Sequence, residues 1–395
     1  MRKDILLLIA WTAAVLCPPT LWGQSLSSTS MQKSSRIDLN KLIKKANSGS
    51  IPAQFQLGHA YQHGEGVNED IYEAIRWYRM AANYGDPSSQ TNLGYLFETG
   101  PEGIKDLAQA VKWYTRAALS GSAVAQANLG LLYIRGEGVT KSVGDALHWI
   151  RPASDANCPT ALVALAYLYG SGEGVPQDLP RAVELMRKAA RQKDPEAQAS
   201  LGIFYAQGLG VRADASEAIK WFRKAAEAGS AKAEYGLGIM YETGQGVKQD
   251  AHEALRLYRL AGAHGSMEAE AALGEIYELG QGVESDYGEA ATWYRRAIDQ
   301  GDVHSATRLG MMLFRGERMG RDAQEAVKLW SWASERGDAR AQFDLASLYL
   351  TGTGVHRDLA KAYSLFTLAG KTLDVSKQLS EVSSRMSQDE MATLR

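Results

Sequence analysis

Residues 53–85 read AQFQLGHAYQHGEGVNEDIYEAIRWYRMAANYG, and the spacing of large and small side chains in this stretch decides the fold. Ala53, Leu57 and Tyr61 fall at i, i+4 and i+8, which is one face of a helix. Gly64-Glu65-Gly66-Val67 then makes a turn. A glycine at position 64 suits the left-handed conformation that ends a helix, which costs other residues roughly 1 kcal/mol or more. Asp70 is an N-cap whose carboxylate also suits the positive end of a helix dipole. Ala74, Trp77, Tyr78, Ala81 and Ala82 share the face of a second helix, which Gly85 closes.

The same pattern returns every 36 residues, nine times, without an insertion or deletion. One column is Leu57, Leu93, Leu129, Leu165, Leu201, Leu237, Leu273, Leu309 and Leu345, and a glycine column runs in step from Gly64 to Gly352. Alanine columns from Ala74 to Ala362 and from Ala81 to Ala369 are also unbroken. Small residues let the paired helices approach closely, and large ones fill the space between neighbouring units. One unit has two apolar faces and a single partner helix, so it requires stacked neighbours to bury the rest.

The unit 197–229 carries Ala197, Leu201, Gly202, Tyr205, Gly208, Gly210, Val211, Asp214, Ala218, Trp221, Phe222, Ala225, Ala226 and Gly229. In these positions it resembles the Sel1-like repeat, a relative of the tetratricopeptide repeat, and the resemblance covers about residues 37–390. It implies an all-α, right-handed α-solenoid of nine 36-residue helix-turn-helix repeats with N- and C-terminal capping helices. It also implies a scaffold that binds proteins.

The expected organisation is a signal peptide (1–23), a Ser-rich disordered linker (24–36), an N-terminal capping helix (37–49), the repeats (50–373) and C-terminal capping helices (374–395). Arg2 and Lys3 precede an apolar run, Ile5 to Leu16, too short to span a bilayer. Cleavage after Gly23 gives a secreted or periplasmic protein, whereas an uncleaved segment would remain as an anchor. Lys41, Lys44 and Lys45 stand where the repeats hold core residues, as a solvent-facing cap requires. Ser387 and Glu390 form a capping-box pattern for a short last helix. Three repeats depart from pattern. Pro101-Glu102-Gly103 alters the second turn. Ser142, Pro152 and Asn157 alter the third unit, where Pro152 is expected to kink or end a helix. Arg318 and Met319 enter the eighth turn.

Net charge is −2 with no basic run, which argues against nucleic acid. Only Cys17 and Cys158 are present, so signal removal leaves no intrachain disulfide. No nucleophile or metal motif emerges, and neither catalysis, metal nor cofactor is expected. His59 and His63 have helical i, i+4 spacing but no clear third ligand. Cys158 reads as a structural thiol, and the recurrent Asp70, Asp214 and Asp250 as caps.

The non-repeating residues carry partner choice. In the first helix, the stripe at 55, 59 and 62 lies about 160–200° from the core columns for its outer two members. In the related tetratricopeptide fold this stripe lines the concave groove. It supplies Tyr95, Leu131, Ile134, Tyr167, Ile203, Tyr235, Ile239, Met311, Phe314 and Phe343 as apolar candidates. Two readings stand: a groove for a peptide, or packing between adjacent helices. On the groove reading, Asn92 and Asn128 hold the peptide backbone, and Glu242, Glu275 and Glu278 favour a basic segment. The protein is then a monomeric adaptor for a protein or peptide partner. A carbohydrate- or peptidoglycan-binding module is the alternative, with a cell-wall hydrolase behind it. Against the carbohydrate reading, Trp77, Trp113, Trp149, Trp221 and Trp293 occupy a core column.

Overall fold

The computed structural model describes residues 39–316, 320–387 and 391. The expected signal peptide and linker, the turn residues Arg318 and Met319, and Glu390 of the last capping box lie outside the described residues. The described chain is all-helical, with 20 helices and no strand among those residues, arranged as the helix pairs of an α-solenoid.

Two compact units divide it at Ala228/Gly229. In the first, α1 (Leu39–Asn47) precedes five pairs: α2 (Ile51–His63) with α3 (Ile71–Asn83), α4 (Pro87–Thr99) with α5 (Leu107–Leu119), α6 (Ala123–Arg135) with α7 (Val143–Asp155), α8 (Pro159–Ser171) with α9 (Leu179–Arg191), and α10 (Pro195–Gln207) with α11 (Ala215–Glu227). The second holds four pairs and a final helix. They are α12 (Ala231–Thr243) with α13 (Ala251–Ala263), α14 (Met267–Leu279) with α15 (Tyr287–Asp299), α16 (Val303–Arg315) with α17 (Ala323–Glu335), α18 (Ala339–Thr351) with α19 (Leu359–Ala369), and α20 (Ser376–Arg385).

Each pair is held by the columns that repeat. Leu57, Leu93, Leu129 and Leu201 are fully buried. Gly58 lies against the ring of Tyr78 so closely that a Cβ there would stand 2.6 Å from Tyr78 Cδ1. The first helix therefore needs a hydrogen where the second presents a ring. The Asp and Ser caps work as their positions require: Asp70 Oδ1 accepts the Glu73 N–H at 3.0 Å, and Ser142, in place of Asp, still accepts from Asp145 at 3.2 Å. Neighbouring pairs are stitched by buried glutamines. Gln54, Gln90 and Gln198 donate to the Ala46, Ala82 and Ala190 carbonyls of the preceding helix at 3.0–3.2 Å. At the N-terminal end, Leu42 and Ala46 cover Trp77, Ala53 and Leu57, while Lys41, Lys44 and Lys45 face solvent.

The irregular units show what the pattern tolerates. Pro152 does not end its helix, since α7 runs on to Asp155 and Ala156 N–H still reaches the Pro152 carbonyl at 3.0 Å. The preceding-turn carbonyl that loses its donor belongs to His148, which is exposed and so open to water. In repeat two, Gly100 is extended (φ −61°, ψ 163°) rather than left-handed, and Ile104 fills the turn from inside. In repeats three and four the first helices α6 and α8 pack directly, whereas α2, α4 and α6 meet only at isolated points. Ala127, Val163, Ala164 and Gly170 on these two helices are small and buried.

In repeats one to eight the residue that closes the second helix has a positive φ: 90° at Gly85, 87° at Gly121, but also 57° at Asn157 and 65° at Lys193. Asparagine tolerates that region better than a long side chain does. Lys193→Gly is therefore expected to stabilise the protein by about 1 kcal/mol, the left-handed penalty less the extra freedom glycine gains in the unfolded chain. Asn157→Gly should gain less. A urea midpoint for Lys193→Gly at or below that of the unmodified protein would contradict this.

Candidate functional site

The apolar stripe of the first helices divides by burial. Ile134 and Ile203 in the first unit, at 4% and 1% exposure, and Tyr235 and Ile239 in the second, at 6% and 5%, belong to the core. As partner anchors these four are corrected: neighbouring helices already cover them. The Tyr235 ring, for example, lies 5.5 Å from that of Tyr258. Tyr95, Leu131 and Tyr167 remain half-buried, at the same position in three consecutive repeats of the first unit. Burial raises the pKa of the Tyr167 hydroxyl, with a further push from Glu173, whose carboxylate pairs with Lys141 at 2.9 Å. In the second unit Met311, Phe314 and Phe343 are half-buried. Phe314 rests 5.5 Å from Trp330 with the Arg321 guanidinium over its ring, and Phe343 meets Phe366 edge-on at 5.4 Å.

The polar members of the stripe are engaged inside the solenoid. Tyr78 donates its hydroxyl to Gln62 Oε1 at 2.8 Å. Tyr114 donates to Glu98 Oε2 at 2.8 Å. Glu98 also takes the Arg135 guanidinium at 2.6 Å, with both side chains only 13% exposed. In the second unit Tyr258 donates to Glu242 at 2.8 Å and Tyr294 to Glu278 at 2.7 Å. Arg308 binds Glu278 at 2.9 Å and stands 3.8 Å from Glu275. Burial drives the hydroxyl pKa of Tyr78, Tyr114 and Tyr294 far up, so all three stay protonated donors.

Gln62, Glu98, Glu242 and Glu278 thus already serve as acceptors for second-helix tyrosines. A buried phenol is costly without a partner, and these side chains supply it. The rule is visible down the columns. A Gln or Glu on the first helix accompanies a Tyr on the second in four repeats, and an apolar or small residue accompanies an apolar one in the other five, as with Ile134 and Ile150.

The most exposed large apolar side chains escaped the sequence reading: Tyr72, Tyr84 and Leu119, each about 70% exposed, on the second helices or their closing turns. The available signal was a bulky residue in a column that elsewhere is small or polar, as with Tyr84 against Ser120, Gln192 and Gln300. Trp77 and Trp113 are buried, and Arg76, Arg116, Lys224 and Arg296 lie over the rings of Trp77, Trp113, Trp221 and Trp293 at 4.5–5.1 Å. The His59 and His63 rings are 4.5 Å apart, and Glu65 bonds His59 at 3.2 Å. Desolvation, then the neighbouring His59, lowers the pKa of His63. Among the described residues no group of three or more His, Cys, Asp or Glu side chains is placed to hold a metal ion. The Cys158 thiol is buried, and burial raises its pKa, which keeps it a poor nucleophile.

Comparison with known proteins agrees with this architecture. A family model described as Sel1 repeat matches residues 51–86, 87–122, 123–158, 159–194, 195–230, 231–266, 268–302, 303–338 and 339–371. Among solved structures, a Sel1 repeat protein from Oxalobacter formigenes is 33% identical, with 78% of this chain and 90% of that chain covered and a TM-score of 0.54. A protective antigen present in uropathogenic Escherichia coli strains, displaying an SLR fold, is 27% identical, with 90% of this chain and 85% of that chain covered and a TM-score of 0.51. No curated protein matches the chain.

Proposed function

We propose, from the premise that this chain belongs to the Sel1-repeat family, that it is an exported scaffold holding a protein or peptide segment on its first-helix face. Sel1-repeat proteins are generally protein–protein interaction scaffolds, and their solenoid is typically non-catalytic. The observation that carries the reading is the row Tyr95, Leu131 and Tyr167. Three large side chains occupy one column in consecutive repeats and stay incompletely covered, while the stacking columns around them are buried. Rigid aromatic and aliphatic side chains on a fixed backbone are good anchors because little conformational freedom is lost on binding.

The test compares two triple variants in a purified binding assay. Tyr95→Ala/Leu131→Ala/Tyr167→Ala is expected to weaken a captured partner on the order of 100-fold. Tyr72→Ala/Tyr84→Ala/Leu119→Ala should leave it bound. Unchanged helical circular dichroism is the folding control. The reverse result would move the binding face to the second helices.

Export rests on the basic and apolar pattern from Arg2 to Leu16 and the small Gly23. The similarity to a protective antigen is in keeping with it. No described helix is long and apolar enough to cross a membrane. N-terminal sequencing of the protein from the periplasm or medium should begin at Gln24, and a chain beginning at Met1 would defeat the cleavage reading. In this reading the protein acts without nucleic acid or cofactor and as a monomer, and light scattering of the purified protein tests the last of these.

A further inference from the structure

Outside the stripe, a cleft of about 520 Å³ opens in the first unit between α9, the end of α10 and the following turn, lined by Arg187, Tyr205, Val211, Arg212, Ala213 and Asp214. Arg187 is half-buried and held in place from two sides. Its guanidinium lies over the Tyr205 ring, 5.7 Å from the centroid, and one Nη donates to the Tyr205 hydroxyl at 2.8 Å. Arg212 projects from the turn and is exposed. Among the described residues neither guanidinium has a carboxylate partner: Glu184, on the same helix as Arg187, pairs with Arg181 and Lys188. Asp214, the only acid in the lining, turns its Oδ1 to the Ser216 and Glu217 N–H groups as a helix cap.

We propose that this cleft is a carboxylate-binding site, and that it takes an acidic side chain of a peptide segment. A guanidinium presents planar N–H pairs that match the two oxygens of a carboxylate, and one immobilised by a ring and a hydroxyl loses little freedom on binding. The cleft is of the size that receives a few residues. The second unit contains the same construction with the charge reversed. Arg259 lies over Tyr277 at 5.7 Å and donates to its hydroxyl, but Glu284 stands at the position of Arg212. The chain thus carries both a version left open to an external acid and a version with a carboxylate built into the turn. None of these residues belongs to the first-helix stripe, so the site stands or falls separately from the scaffold reading.

The test is calorimetric titration of the full chain with a terminally blocked penta-glutamate peptide, with penta-glutamine as the neutral control. Binding of penta-glutamate alone is expected. Arg212→Glu, which imports the residue of repeat seven on an exposed turn, should weaken it at least ~10-fold, as should Arg187→Gln. Arg187→Lys should weaken it less, since charge survives and the planar fork is lost. Lys112→Gln, an exposed cation in repeat two, should change nothing. Equal weakening by Lys112→Gln would reduce the effect to general electrostatics and overturn the site. So would binding that survives Arg212→Glu, or a peptide that does not bind. Inorganic phosphate binding where penta-glutamate does not would overturn the carboxylate assignment in favour of a phosphate.

Discussion

Glu98→Ala is expected to destabilise the first unit by about 3 kcal/mol. The carboxylate receives the Tyr114 hydroxyl and the Arg135 guanidinium in a largely covered setting. Its removal leaves a buried phenol without its acceptor and takes from Arg135 its more buried carboxylate, with the more exposed Glu137 at 3.1 Å. The cost comes from the groups left behind more than from the lost pair itself. Two companion variants separate these contributions. Glu98→Gln restores the arrangement found in repeat one, where Gln62 accepts from Tyr78; it should cost about 1 kcal/mol, the loss of a charge-assisted bond to Arg135. Glu98→Ile combined with Tyr114→Ile imports the pair of repeat three, Ile134 with Ile150. Because it removes both partners of the hydroxyl bond together, the double variant should be more stable than Glu98→Ala alone. Urea unfolding of these proteins, together with the single variants Glu98→Ile and Tyr114→Ile, decides the matter. A double variant as unstable as the sum of its single changes would show that Tyr114 and Glu98 act independently.

That network marks the boundary of what the sequence made legible. The unbroken columns of leucine, glycine and alanine carried the fold, because stacking demands the same side-chain size at the same place in every unit. The stripe was harder, for two physical reasons. A helical wheel sorts the residues of one helix, whereas Gln62 and Tyr78, or Glu98 and Tyr114, belong to different helices of a pair. Their dependence appears only when two columns are compared. Burial also varies along the stripe although the wheel angle does not. Leu131 and Ile203 stand at the same position of two repeats, yet Ile203 is in the core and Leu131 is half-buried. Packing between neighbouring repeats varies as well: α6 lies directly on α8, whereas α2, α4 and α6 meet only at isolated points. Pro152 misled for the converse reason. An isolated helix is expected to stop or kink at proline, but here the packing of Ile150 and Ala153 into the core carries the helix past it.

Asp194 offers the second large effect, and one with a definite direction in pH. It caps α10, accepting the Ala197 N–H at 2.7 Å, but it is only 4% exposed. Burial, and then the nearby Glu196, push its carboxyl up to about 6 against the backbone bonds that favour the ionised form. Repeat nine shows what is missing. There the equivalent Asp338 also receives the Thr307 hydroxyl of the preceding repeat at 3.0 Å, whereas the residue before Asp194 in that column is Val163. The folded protein therefore binds a proton at about pH 6 that the unfolded chain does not bind until about pH 4. Across that window the folded state holds more protons, so this contribution to stability falls as pH rises and levels off above about pH 6. Asp194→Asn keeps the cap and removes the buried charge. It should raise stability by about 2 kcal/mol at about pH 7 and by about half as much at about pH 5. Val163→Thr should act on the same charge from outside it, lowering the carboxyl toward its ordinary range by adding the donor that Asp338 enjoys. Urea midpoints at the two pH values, with a nuclear magnetic resonance titration of the Asp194 carboxyl, test both variants. An Asp194 that titrates near 4, or an Asn variant with the same gain at both pH values, would mean that water reaches the cap and that its burial carries no electrostatic cost.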